Sequence, residues 1–157
     1  MPESNSFQVI QPPNLLKSKV PRYGGPSIDD IKAKAEAGLK SLEGEFLVSA
    51  FDEISEIEKA LKLARDEPPG AELAQKRAIS HATQIKGLAA SFGYDALGEA
   101  GSLLADYLSK VKPGERIRED VTEAHLGAML VILNERMTGP YEAAPLIEAL
   151  ETLSLKV

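Results

Sequence analysis

His81 and His125 are the only two imidazoles in a chain of 157 residues that has no cysteine, so they lead the list of groups able to do nucleophilic or metal chemistry. An imidazole can take up and return a phosphoryl group, or ligate a metal through either ring nitrogen. Neither histidine stands in the Glu-x-x-His arrangement of carboxylate-bridged metal bundles, and no chelating cluster surrounds them, so neither a metal nor a cofactor is expected. Asp52, Glu53, Glu56 and Glu58 crowd together but alternate with lysines, as on a solvated helix face. A glycine-rich phosphate loop after a strand, a serine at a nucleophile elbow and a thiol are all missing.

These residues need helices to hold them. Residues 1–26 contain Pro12, Pro13, Pro21, Pro26, Gly24 and Gly25 and show no sustained periodicity; they read as a disordered or extended arm. From 27 to 157 a single helical domain is expected. Ser27 caps a first helix, with Asp29 and Asp30 in its first turn, and Ile28, Ile31, Ala35, Leu39 and Leu42 follow at helical spacing. A second helix over 45–65 places Phe46, Ala50, Ile54, Ile57 and Leu61 on one side, and Pro68-Pro69-Gly70 stops it. The third, 71–92, has the stripe Ala74, Ala78, His81, Ile85, Leu88 and Phe92 and ends at Gly93. The fourth, 95–111, presents Leu97, Ala100, Leu104, Leu108 and Val111 before Pro113-Gly114. The fifth, 119–137, uses Val121, His125, Ala128, Met129 and Ile132, and a short sixth offers Leu146, Ile147, Leu150 and Leu153. No segment reads as a strand. Such helices bury their stripes most simply as an all-α antiparallel four-helix bundle with additional flanking helices.

The third helix reads Ala82-Thr83-Gln84-Ile85-Lys86-Gly87-Leu88-Ala89-Ala90-Ser91-Phe92-Gly93-Tyr94. This resembles the signature of histidine-phosphotransfer (HPt) domains: a histidine, two residues, a lysine and a glycine, then small residues and a second glycine at the helix end. The Phe92-Gly93-Tyr94 ending and the later Glu123-Ala124-His125-Leu126-Gly127-Ala128 are similar to stand-alone HPt proteins of the alphaproteobacterial kind. The resemblance covers about residues 45–137. It implies a bundle that exchanges a phosphoryl group with the aspartate of a receiver domain, through an exposed histidine that enters an acidic receiver site. Lys86 and Gly87 fall on the family's lysine and glycine, and the phosphorylated histidine falls on Thr83. Residues three and four apart share a helix face, so on this pattern Lys86 attracts anionic charge beside that position, and Gly87, without a side chain, leaves room for a partner surface to approach. A threonine lacks the imidazole nitrogen, so relay chemistry is not expected at that position. His81 lies two residues earlier, nearly opposite on the helix, and reads as a core or half-buried histidine bonded within the bundle.

The resemblance therefore implies a pseudo-HPt protein that binds a receiver or kinase domain of two-component signalling without carrying phosphate. Lys76, Ser80, Thr83, Lys86, Gly87 and Ala90 form its partner-facing surface. Two alternatives stand beside it: a competent phosphocarrier using His81, brought outward by a π-bulge, and a helical adaptor unrelated to phosphorelay that binds through the arm or the acidic second helix. A formal charge of −6 and low aromatic content with no Trp exclude a general nucleic-acid binder. No apolar run approaches the roughly 20 residues needed to span a bilayer, and no secretory leader opens the chain, so a cytoplasmic location is expected.

Overall fold

The computed structural model describes residues 24–66, 70–139 and 141–156. Among them are five helices and no strand: α1 Ile28–Asp66, α2 Ala71–Ser91, α3 Asp95–Lys110, α4 Glu119–Asn134 and α5 Ala144–Leu155. The chain is all-α, an antiparallel four-helix bundle with α5 packed against α3 and α4. The described residues fall in two units, divided between Leu39 and Lys40. The expected arm lies outside the described residues up to position 23, as do Pro68 and Pro69. None of the described helices is long and apolar enough to cross a membrane.

The start of α1 follows from its first residues. Asp30 N–H donates to Ser27 Oγ at 3.0 Å and Ser27 N–H donates to Asp30 Oδ2 at 3.1 Å, a reciprocal cap that satisfies two orphan donors. The Ser27 hydroxyl, donating to the same Asp30 Oδ2 at 2.8 Å, together with the Ser27 N–H holds the Asp30 carboxyl below the usual range. The break expected between Leu42 and Glu45 does not occur, and the first two expected helices are one. Glycine in a helix costs only about 1 kcal/mol relative to alanine. Gly38 and Gly44, with no proline near them, are too weak to stop it.

In the unit 40–157, Phe46, Ala50, Ile54, Ile57 and Leu61 of α1 are buried, as are Leu97, Leu104 and Leu108 of α3 and Val121, Met129 and Ile132 of α4. The α2 stripe is rotated from the expected one. Ala74, Ala78, Ala82, Ile85 and Ala89 are buried, whereas Leu88 is 38 % exposed and His81 sits at the border. The cause is a close crossing of α2 and α3. A Cβ on Gly101 would lie 2.8 Å from the Ala82 carbonyl oxygen, and one on Gly98 3.4 Å from that of Lys86. Alanines on α2 facing glycines on α3 let the two backbones approach, and the larger Leu88 is left outside. Gly101→Ala must push that carbonyl away. Overpacking of this kind costs about 1–3 kcal/mol, and for a chain of this size it lowers the melting midpoint by roughly 2–4 °C per kcal/mol. Thermal melts of Gly101→Ala and of Gly127→Ala, whose added methyl meets nothing within 4 Å, separate this clash from the general effect of alanine in a helix.

The helix ends are tied together. Gln75 Nε2 donates to the Leu108 carbonyl at 2.6 Å and the Val111 carbonyl at 2.9 Å, joining the start of α2 to the end of α3. Arg118 N–H donates to the Tyr107 hydroxyl at 3.0 Å, setting the start of α4. Helix α2 closes at Gly93, whose φ of 77° lets Tyr94 N–H return to the Ala89 carbonyl. Phe92 then stacks on Phe46 of α1 with centroids 4.5 Å apart, and fully buried Tyr94 lies 5.1 Å from the same ring. Helix α4 stops at Asn134, three residues before the expected Met137, because Arg136 adopts a left-handed turn at φ 50°.

Candidate functional site

Helix α2 presents two sides with opposite properties. Its alanine side is held against α3, and this turns Lys76, Ser80, Thr83, Lys86, Gly87 and Ala90 to solvent; all six are exposed. At 3.6 residues per turn Thr83 and His81 lie about 200° apart around the helix, so His81 points away from this face.

The polar groups of the face are committed to different degrees. Thr83 Oγ1 donates to the Ile79 carbonyl one turn back, at 2.8 Å, the usual resting bond of a threonine inside a helix. Lys76 pairs with Glu72 at 2.7 Å, and this ammonium holds the Glu72 carboxyl below its ordinary range. Lys86 meets only the Ser102 hydroxyl of α3, at 3.3 Å, and forms no ion pair among the described residues. Its charge is thus uncompensated beside Thr83. A Cβ on Gly87 would meet nothing within 4 Å, so packing inside the chain does not require glycine there. The same is true of Gly38, Gly44 and Gly127; Gly87 differs in lying one turn from Thr83 and directly after the unpaired Lys86.

Both histidines are turned inward from this surface. His81 Nδ1 lies 2.6 Å from Glu53 Oε2 of α1; the two side chains are half-buried, 27 % and 20 % exposed. Glu53 is therefore not part of a wholly solvated acidic face, although Asp52, Glu56 and Glu58 are exposed and Glu56 pairs with Lys59. His125 is fully buried in α4. Its Nδ1 is 2.8 Å from the Val121 carbonyl, which can only accept, so Nδ1 carries the proton; Nε2 is then the acceptor for the Ser154 hydroxyl of α5 at 3.4 Å. Burial pushes the His125 pKa down. The unfolded chain, with a histidine pKa near 6.5, then binds more protons than the folded one below that pH. This contribution to stability is complete above about pH 6.5 and is lost as pH falls toward the folded-state value. Melting midpoints measured between pH 7.5 and about pH 5 should fall in wild type and fall less steeply in His125→Gln.

Other arrangements bring nothing together. A groove of about 860 Å³ lies where α1 ends and α2 and α4 begin, lined by Lys62, Arg65 and Arg116 together with several acids, and it includes none of the six exposed residues. Arg65 Nη1 lies 2.8 Å from Glu119 Oε1 there, an ion pair at an angle unsuited to a hydrogen bond. The described residues hold no group of three or more His, Cys, Asp or Glu that could bind a metal.

The arrangement can dock an acidic surface against a flat, weakly cationic helix face, and neither imidazole of the chain lies there. Two features escaped the sequence. The His81–Glu53 contact joins residues 28 apart in the chain, which no local pattern reports, and buried Tyr94 looked like part of a turn. Among protein-family models, residues 42–153 match the Hpt domain, a span that reaches into α5. Comparison with curated proteins and with solved structures gave no match.

Proposed function

The chain belongs to the Hpt domain family, the histidine-phosphotransfer domains of phosphorelay signalling, and from that premise we propose that it is a member that binds a receiver domain without carrying phosphate. In this reading Thr83 stands where the family's phosphorylated histidine would be, and Lys76, Ser80, Lys86, Gly87 and Ala90 surround it as the docking face. The observation that carries it is that neither imidazole reaches that face: His81 is engaged by Glu53, and His125 is buried between Val121 and Ser154. Thr83 cannot substitute, because its hydroxyl has no basic nitrogen and is bonded back to Ile79. A protein of this kind competes with phosphate-carrying relatives for the same receiver, in the cytoplasm, and lowers the flow through the relay in proportion to its occupancy.

One observation favours a second reading, in which His81 is the carrier. Its Nδ1 is oriented by a carboxylate, and its Nε2 has no hydrogen-bond partner among the described residues; an imidazole held in this way is oriented to react through Nε2. The helix must then expose its α1 side to the receiver.

The test mixes phosphorylated receiver domains with wild type, His81→Ala and His125→Ala, and records binding and label transfer together. Saturable binding with no label on any of the three is the expected result. Acid-labile label on wild type that disappears in His81→Ala would replace the first reading by the second.

A further inference from the structure

The first four turns of α1 carry an apolar stripe that no described residue covers. Ile28, Ile31, Leu39 and Leu42 are 84, 55, 68 and 51 % exposed, and Ala35 between them is exposed as well. These four are branched aliphatic side chains along one side of a helix, and contiguous surface of this kind marks an interaction site.

The spacing of the stripe identifies its occupant. Ile31 and Leu39 stand four residues before and after Ala35, and Ile28 and Leu42 stand seven before and after it. Large, large, small, large, large reads the same from either end. A pattern that is symmetric about its midpoint is complementary to itself when a second helix runs antiparallel across it, and this is the condition for an isologous two-fold contact. In that register Ile28 meets Leu42 of the second copy, Ile31 meets Leu39, and Ala35 meets its own equivalent on the axis, where its small side chain permits close approach.

The charges bordering the stripe favour the same orientation. Lys32 and Glu36 flank it on one edge, one turn apart, and neither forms an ion pair among the described residues. Antiparallel pairing sets like edges together, so Lys32 of each copy falls beside Glu36 of the other, twice by symmetry. Parallel pairing sets opposite edges together and brings Lys32 toward Lys34.

We propose that residues 28–42 form an antiparallel helix pair with the same segment of a second copy of this chain, its two-fold axis passing through Ala35.

Because the chain has no cysteine, single thiols report this geometry directly. In full-length protein oxidised by dissolved oxygen, Ala35→Cys is expected to form a covalent dimer rapidly, since a disulfide needs Cβ atoms about 3.5–4.5 Å apart. Leu42→Cys alone is expected not to, because the two copies of that position are separated by fourteen residues of helix, roughly 21 Å. A mixture of Ile28→Cys and Leu42→Cys should give the crosslinked heterodimer. Sedimentation of wild type should show a dimer. Ile31→Asp, an exposed position that leaves folding intact, should shift it to the monomer mass. Lys32→Glu should weaken the dimer, and Lys32→Glu combined with Glu36→Lys should restore it. A monomeric wild type at every concentration would overturn the proposal. So would crosslinking of Leu42→Cys as fast as Ala35→Cys, which requires parallel pairing. A monomer that dimerises only when residues 1–23 are removed would also overturn it, by assigning the stripe to the N-terminal segment.

Discussion

Thr83→His is expected to make the protein accept a phosphoryl group at position 83. Position 83 is exposed, it lies in the middle of an intact helix, and its present side chain makes only a bond to the Ile79 carbonyl of its own helix. Nothing in the core changes when the threonine is replaced. A histidine there presents a ring nitrogen to solvent, with the Lys86 ammonium one turn away to offset the charge of an incoming phosphoryl group. Incubation with a phosphorylated receiver domain should leave wild type unlabelled and place acid-labile label on Thr83→His, with the receiver losing label at the same rate. The double variant Thr83→His/His81→Ala should behave like the single one. Absence of label on Thr83→His, despite binding equal to wild type, would show that the six exposed residues do not meet the receiver's reacting aspartate.

The second large effect is at Gly87. Gly87→Arg places a long charged side chain where a partner would rest against bare helix, and interface hot spots of this kind reach 2 kcal/mol and more. Receiver binding should weaken by roughly a hundredfold or more, about 2.7 kcal/mol. The fold should be untouched, because a Cβ at this position meets nothing within 4 Å. Gly87→Ala provides the control. It should raise stability by about 0.5–1 kcal/mol, the ordinary gain of alanine over glycine in a helix, with a much smaller effect on binding. Titration by calorimetry together with a thermal melt of each variant reads both quantities. Unchanged affinity in Gly87→Arg would remove α2 from the interface.

The sequence disclosed some of this structure and concealed the rest for identifiable reasons. Leu97, Leu104 and Leu108 of α3 and Val121, Met129 and Ile132 of α4 are large residues at regular spacing, and all are buried as expected. The α2 stripe is not legible in the sequence because most of its members are alanines, whose burial has no size signal of its own. Ala82 and Ala89 are inside because Gly101 and Gly98 of another helix leave space for them, and that information lies 19 and 9 residues further along the chain. Leu88 reads as core on hydrophobicity alone and is partly exposed. The spacing from Leu42 to Phe46 stays helical, and α1 is continuous through Gly44. The exposed face from Lys76 to Ala90 was legible, since its polar and small residues fall on one side of a helix whose phase Ile85 fixes.

The close crossing of α2 on α3 has a consequence for how this protein can be studied. The alanines that pack α2 against α3 lie on one side of the helix and the six exposed residues on the other, so the demands of that packing and of a partner on this face fall on different positions. A saturation library selected only for soluble expression should accept most polar residues at positions 76, 80, 83, 86, 87 and 90. Any residue that library tolerates but a signalling screen rejects is then a reading of the partner's footprint, obtained without isolating the partner.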